Sequence, residues 1–205
     1  MKIVANNLSK RYNREWIFRN FSYEFQSKQT YAITGPNGSG KSTLLQALWG
    51  QLPPSGGEVN HWVNDKSLAV QDVFTCIAIA TPYMDIIDEF TLREMVQFHF
   101  QFKKIRKGKS LEEVIELTGL KSSEHKHISN FSSGMKQRLK LSLAFQTEAN
   151  CLFLDEPTTN LDKKSCQWYW DQLIEIQRFT TILIASNDEG EYPSDAGKID
   201  ILSFK

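Results

Sequence analysis

The sequence predicts an α/β fold: a mainly parallel sheet flanked by helices, with antiparallel strands at the N-terminal end and a helical subdomain inserted in the core. Three observations carry this reading. Strand-like apolar runs alternate with helical patterns along most of the chain, the order that favours parallel pairing with helices on both faces. One such run, residues 30–34, leads straight into the glycine-rich stretch Gly35-Pro36-Asn37-Gly38-Ser39-Gly40-Lys41-Ser42-Thr43 and then into a helix-like segment. Residues 91–130 hold helix signals and little strand signal, so they read as the insert within one domain spanning 1–205.

Taken in order, residues 1–25 read as two strands. Ile3, Ala5 and Leu8 lie near one side of the first, and Ile17, Phe18, Phe21, Tyr23 and Phe25 supply the second, with Asn13-Arg14 as the hairpin turn. The helix after the glycine-rich stretch should end at Gly50, a natural C-cap. Pro53-Pro54-Ser55-Gly56-Gly57 breaks the chain, and 58–63 then alternates as a half-exposed strand with Val59, His61 and Val63 on one side. Residues 75–80 read as a buried strand stopped by Pro82.

Thr91-Leu92-Arg93-Glu94 has capping-box spacing, and Leu92, Met95, Val96, Phe98 and Phe102 continue it at helical period to about Lys103. The basic stretch 103–109 reads as a solvated helix end or loop. Ser110-Leu111-Glu112-Glu113 opens a second helix that closes near Gly119. Residues 135–145 fit a buried helix and 151–154 a short strand ending in Asp155-Glu156. A helix over 163–178, a β-branched strand over 180–185 and a last short strand over 199–204 complete the pattern.

Composition narrows the function. Lys plus Arg and Asp plus Glu both number 24, so net charge is zero and no nucleic-acid partner is expected. Cys76, Cys151 and Cys166 show neither C-x-x-C spacing nor an even count, which suits unpaired thiols in a reducing compartment. No basic-then-apolar leader opens the sequence, and no run approaches the ~20 apolar residues that span a bilayer. Any membrane role must come through a partner. The four histidines are scattered without ligand spacing, and His99 reads as structural or surface.

Three stretches carry chemistry. Residues 35–43 fit G-x-x-x-x-G-K-[ST] in the strand–loop–helix context that pattern requires. Its glycines let the backbone wrap a polyphosphate, its N–H groups point inward at a helix start, Lys41 can reach the terminal phosphates and the Ser42 hydroxyl can ligate Mg²⁺. Asp155 and Glu156 close an apolar strand, and ligands of open α/β sheets gather outside such carboxyl ends. Asp155 suits a metal shell and Glu156 the polarising of a water. Phe131-Ser132-Ser133-Gly134-Met135 offers a hydroxyl and a helix N-terminus, an anion site or a plain serine cap.

These motifs, in this order and over nearly the whole chain, resemble the ATP-binding cassette (ABC) family, specifically a stand-alone nucleotide-binding subunit of an ABC transporter. Residues 35–43 match the Walker A loop, 131–135 a variant of the Leu-Ser-Gly-Gly-Gln signature, 151–156 Walker B with its catalytic glutamate, and 159–162 the D-loop. Tyr12 resembles the aromatic that stacks on adenine. The resemblance implies ATP and Mg²⁺ as cofactors and a P-loop NTPase core of the ABC type. It also implies a head-to-tail dimer with a second cassette, the same or different, in which Ser132 and Gly134 reach the γ-phosphate across the interface. A separate transmembrane permease subunit would dock near 82–87 and the helix carrying Phe98, His99, Phe100 and Phe102, unless Ile86 and Ile87 simply close the local core. The expected place is the cytoplasm, at the inner face of the membrane.

Three positions depart from the family pattern. Asn187 stands where a switch histidine follows the last core strand, and an amide cannot carry positive charge at neutral pH. The Q-loop glutamine is missing, with Tyr83 or, across a one-residue gap, Pro82 in its place. Ser133 replaces a signature glycine. Retention of Lys41, Ser42, Asp155 and Glu156 implies hydrolysis, and the departures imply that it is slow. A nucleotide-gated dimer with little or no hydrolysis and a soluble ABC ATPase outside transport are the competing readings.

Overall fold

The computed structural model describes residues 1–205. Strands β1 (Lys2–Tyr12) and β2 (Glu15–Phe25) pair antiparallel around Asn13, which takes the left-handed conformation (φ 52°) that asparagine tolerates in tight turns. With β4 (Gly56–Val63) and β5 (Lys66–Ser67) they form a four-stranded antiparallel sheet of order β2-β1-β4-β5. Strands β3 (Thr30–Thr34), β6 (Ile77–Ala80), β7 (Cys151–Asp155), β8 (Thr181–Ala185) and β9 (Gly197–Asp200) form a parallel sheet of order β6-β7-β8-β3-β9. Every residue of β7 and β8 is buried, as expected of strands covered on both faces.

Side-chain alternation divides the interior. Cys151 and Phe153 of β7 face a core shared by Leu44, Leu45 and Leu48 of α1 (Lys41–Leu48) and by Phe18, Phe21 and Phe25 of β2. Leu152 and Leu154 face the other way, onto Leu141 and Phe145 of α5 (Ser133–Gln146) and Tyr169 and Leu173 of α6 (Lys163–Ile176). Each fully buried Leu or Phe contributes about 1.5–3 kcal/mol, so the two cores together fix the sheet. Tyr169 is the buried member of the Trp168-Tyr169-Trp170 run, and its hydroxyl finds the Glu191 carbonyl at 2.7 Å.

A third core joins α3 (Leu92–Phe102) and α4 (Leu111–Thr118) to the first half of α5, with Leu92, Val96, Val114, Ile115, Ile128 and Leu139 fully buried. The expected capping box forms between Thr91 and Glu94, and a second one joins Ser110 and Glu113 at the start of α4. Gly119 closes α4 with φ 67°. Ile86 is buried in this core and Ile87 packs against it, so both close the interior.

Three expectations are corrected. The strand placed at 75–80 starts at Ile77, because Thr75 and Cys76 finish a short helix, α2 (Val70–Cys76), that had no visible period: only Val73 of it is buried. The strand placed at 199–204 is β9, beginning at Gly197 and ending at Asp200, whose carboxylate accepts the Leu202 N–H at 2.9 Å and turns 201–204 into a 3₁₀ segment. The basic stretch is not simply solvated. Arg106 is buried and donates to the Phe145 and Thr147 carbonyls (3.0 and 2.9 Å) and to Thr180 Oγ1 (3.2 Å), satisfying the C-terminus of α5. Burial also pushes the Lys103 ammonium down to about 8, where it donates to the carbonyls of Phe74 and Ile77. His99 is structural: its Nε2 lies 2.9 Å from Thr147 Oγ1, and burial, with Lys103 nearby, lowers it to about 4. No helix is long and apolar enough to cross a membrane.

Candidate nucleotide site

The 35–43 loop leaves β3 and enters α1 through glycines that the local geometry demands. At Gly40, φ is 102° and an added Cβ would fall 2.4 Å from Ile17 Cγ2 of β2, so the antiparallel sheet presses directly on the loop. Lys41 is buried, and its Nζ donates to the Gly35 carbonyl at 2.8 Å and the Pro36 carbonyl at 3.2 Å. The ammonium is therefore held inside the curl of the loop by backbone oxygens.

Asp155, at the carboxyl end of β7, comes to the same place. Burial pushes its carboxyl up from the usual range, and the nearby Ser42 hydroxyl opposes this; Glu156 adds to the rise and Lys41 counters it. Asp155 Oδ1 is buried without a hydrogen-bond partner, as is Ser39 Oγ. Orphaned buried oxygens are uncommon, and a carboxylate oxygen beside a serine hydroxyl is a donor set that a hard divalent cation fits. No cluster of three or more His, Cys, Asp or Glu residues exists that could hold a metal by itself. A cation here would need further oxygens, as from a phosphate.

Glu156 follows with φ 43°, an unusual conformation for a residue with a side chain. Its N–H donates to the Ala185 carbonyl at 2.9 Å, which prolongs the β7–β8 pairing by one step. The turn beyond it is held from two sides. Gln137 of α5 donates to the Pro157 carbonyl at 2.8 Å, and the buried Glu191 carboxylate accepts from Thr158. Neither support was visible in the sequence, because a buried polar residue that braces a turn leaves no periodic signal. Asn187 is exposed just after β8.

The remaining predicted residues lie apart. Tyr12, at the end of β1, is 48% exposed, with the Lys10 ammonium over its ring, 5.2 Å from the centroid. Ser132 caps α5, its Oγ accepting the Met135 N–H at 3.2 Å. Gly134 abuts the next motif: a Cβ there would lie 2.7 Å from the Asn160 carbonyl. Ser132, Gly134, Asn160 and Asp162 line a polar cleft of about 590 Å³ that includes no residue of 35–43. The structure thus joins Lys41, Ser42 and Asp155 in one place and 132–134 with 160–162 in another. Pro82 and Tyr83 are both exposed.

A family model described as ABC transporter matches residues 18–159. The chain belongs to the ABC transporter family. The match takes in the Walker A, signature and Walker B residues, while Tyr12 and Asn187 lie outside it. Two Bacillus subtilis proteins, the uncharacterized ABC transporter ATP-binding proteins YcbN and YybJ, are 29% and 31% identical. The alignments cover 98% and 90% of this chain, and the chain spans 66% of YcbN and 85% of YybJ. Among solved structures, the dimeric bacterial ABC transporter cassette MJ0796 superposes with a TM-score of 0.77 at 22% identity, covering 91% of this chain and 88% of that one. The ABC fold is thereby shared, and the chain carries the family's ATP-binding cassette.

Proposed function

We propose that this cassette binds ATP with Mg²⁺, hydrolyses it slowly, and powers a transporter by closing head to tail on a second cassette. The observation that carries the reading is the separation of two groups of residues. Lys41, Ser42 and Asp155 form a phosphate and metal pocket on one side, while Ser132 and Gly134 face a cleft that their own loop does not enter. A signature that opens onto a cleft without its own phosphate loop is suited to completing a neighbour's.

In this reading the backbone N–H groups of Gly35, Asn37, Gly38, Ser39, Gly40, Lys41, Ser42 and Thr43 cradle the phosphates, with Pro36 shaping the curl, and Lys41 exchanges its carbonyl partners for phosphate oxygens. Ser42 and Asp155 would hold Mg²⁺, which would supply neutralisation of phosphate charge. Tyr12 stacks on the adenine. Glu156 polarises the attacking water, Asn187 donates its amide to the γ-phosphate, and the second cassette contributes Ser132 and Gly134. Closure brings those dipoles to bear only when ATP is present, so affinity for the closed state is the source of work. Turnover is slow because Asn187 cannot become cationic and neither Pro82 nor Tyr83 supplies the missing amide.

Residues 91–130 form the inserted helical subdomain of a single cassette over 1–205. Next to it lies the surface for a transmembrane permease subunit. Two adjoining clefts of about 430 and 330 Å³ share Phe74, Ile77, Ile79 and Met84. Val70, Phe74, Tyr83 and Phe102 stand 58–75% exposed along them, an apolar surface that calls for a cover. Seated on such a partner, the cassette would work at the inner face of the membrane. No nucleic acid enters this reading.

The test is Glu156→Gln. The variant should bind ATP like the parent, lose steady-state hydrolysis and accumulate as an ATP-dependent dimer in sedimentation. Hydrolysis at the parental rate would show that Glu156 does not activate the water. The missing glutamine and histidine favour one second reading, a nucleotide-gated dimer without turnover, and a parent chain with no ATPase activity would establish it. Failure to co-purify with any membrane subunit from detergent extracts would instead favour a soluble ABC ATPase.

A further inference from the structure

The segment between β6 and α3 is fastened to the signature on both flanks, and one residue makes both attachments. The Asp88 carbonyl accepts the Ser129 N–H at 2.8 Å, three residues before Ser132. The Asp88 carboxylate takes both of its contacts from Lys136 Nζ, at 2.6 and 2.9 Å, two residues after Gly134. One helical turn further along α5, Lys140 Nζ donates to the Pro82 carbonyl at 3.0 Å. The Ile128 N–H donates to the Phe90 carbonyl at 2.8 Å, extending the attachment on the first flank.

We infer that Asp88 and Lys136 are positioning residues for the signature turn, setting where Ser132 and Gly134 present themselves to the second cassette. The inference rests on the reading that the signature acts across a dimer. The turn is held from beneath by buried Phe131 and by the first bond of α5, from the Lys136 N–H to the Ser132 carbonyl at 2.9 Å, while its outer side is open. The Ser132 side chain makes one cap bond, and Ser132 and Ser133 are both exposed. Asp88 supplies the frame on either side. The same segment carries Tyr83 and Met84 into the apolar clefts, so whatever occupies those clefts touches the frame of the signature.

The pair is partly exposed, with side chains at 49% for Asp88 and 29% for Lys136, and such pairs shift an equilibrium by about fivefold at most. The experiment is scaled to that. In the Glu156→Gln background, ATP-dependent dimerisation is measured by sedimentation velocity, and ATP binding to the dilute monomer by a fluorescent ATP analogue. Asp88→Asn keeps the backbone carbonyl and removes only the charge, and Lys136→Met removes the other partner. Each should weaken the dimer about three- to fivefold while leaving monomer ATP affinity within about twofold. The exchange D88K/K136D should recover most of the loss, and thermal melts identify any variant that fails to fold, leaving the other single variant to decide. Dimerisation unchanged in the single variants, an equal loss in monomer ATP binding, or an exchange no better than the single variants would overturn the inference. If the Glu156→Gln parent itself does not dimerise with ATP, the functional reading falls and this one with it. A parent that dimerises beside unaffected variants overturns this one alone.

Discussion

Thr158 donates its amide (2.8 Å) and its hydroxyl to the same carboxylate oxygen of Glu191. Thr158 stands two residues after Glu156, and Glu191 four residues after Asn187, so this contact ties together the two loops that carry the proposed water-activating and phosphate-contacting groups. Tyr169 anchors the Glu191 backbone from α6.

Glu191→Ala should therefore loosen both loops at once. It removes a charge-assisted acceptor from two half-buried donors, which costs roughly 1.5–3 kcal/mol in denaturant unfolding. The kcat for ATP should fall while KM changes little, since the phosphate loop is untouched. Steady-state kinetics with unfolding curves check both, and a rise in KM at constant kcat would argue that Glu191 acts elsewhere.

Asn187→His should raise turnover, by on the order of tenfold, more than it changes ATP affinity. A histidine there can carry the positive charge that the amide cannot. Comparison of kcat with the dissociation constant of a non-hydrolysable ATP analogue checks this; a change confined to affinity would count against a transition-state contact.

His99 gives the fold a defined sensitivity to acid. Its imidazole is held down to about 4 in the folded chain by burial first and Lys103 second, against 6.5 as the ordinary value. Above pH 6.5 neither state is protonated and the contribution is complete. Between pH 6.5 and about 4 the unfolded chain takes up a proton that the folded one refuses, so stability falls, by on the order of 3 kcal/mol across that window. The stability difference between the parent and His99→Gln, followed by denaturant unfolding from pH 7 to 4, should shrink as pH drops.

How much of the molecule is readable from its sequence depends on the physical signal each part leaves. That the 35–43 loop and Asp155 meet was legible because a glycine-rich loop before a helix and an acid at the end of a buried strand both fall at the carboxyl edge of the sheet. Helix α3 announced itself through a capping box and an apolar face, and α4 through its opening at 110–113 and the glycine that closes it. Helix α2 did not, because a two-turn helix with one buried residue has no period to detect. Arg106, Gln137 and Glu191 were invisible for a different reason: each satisfies backbone or loop groups brought close only by folding, and Arg106 was hidden further inside a run of exposed-looking lysines. The end of β9 was misread because the Asp200 turn interrupts apolar residues that otherwise continue as a strand.

The alternation along β7 has a consequence for how this site tolerates change in length. Cys151 and Phe153 face the α1 side and Leu152 and Leu154 the opposite core, so Asp155 inherits the odd phase that delivers it to Ser42. Glu156 escapes the alternation through its left-handed turn. The strand thus acts as a parity counter. Inserting or deleting one residue within 151–154 would do more than misplace a carboxylate by a few ångströms: it would exchange which side of the sheet the chemistry is on, while leaving the composition of both cores almost as apolar as before.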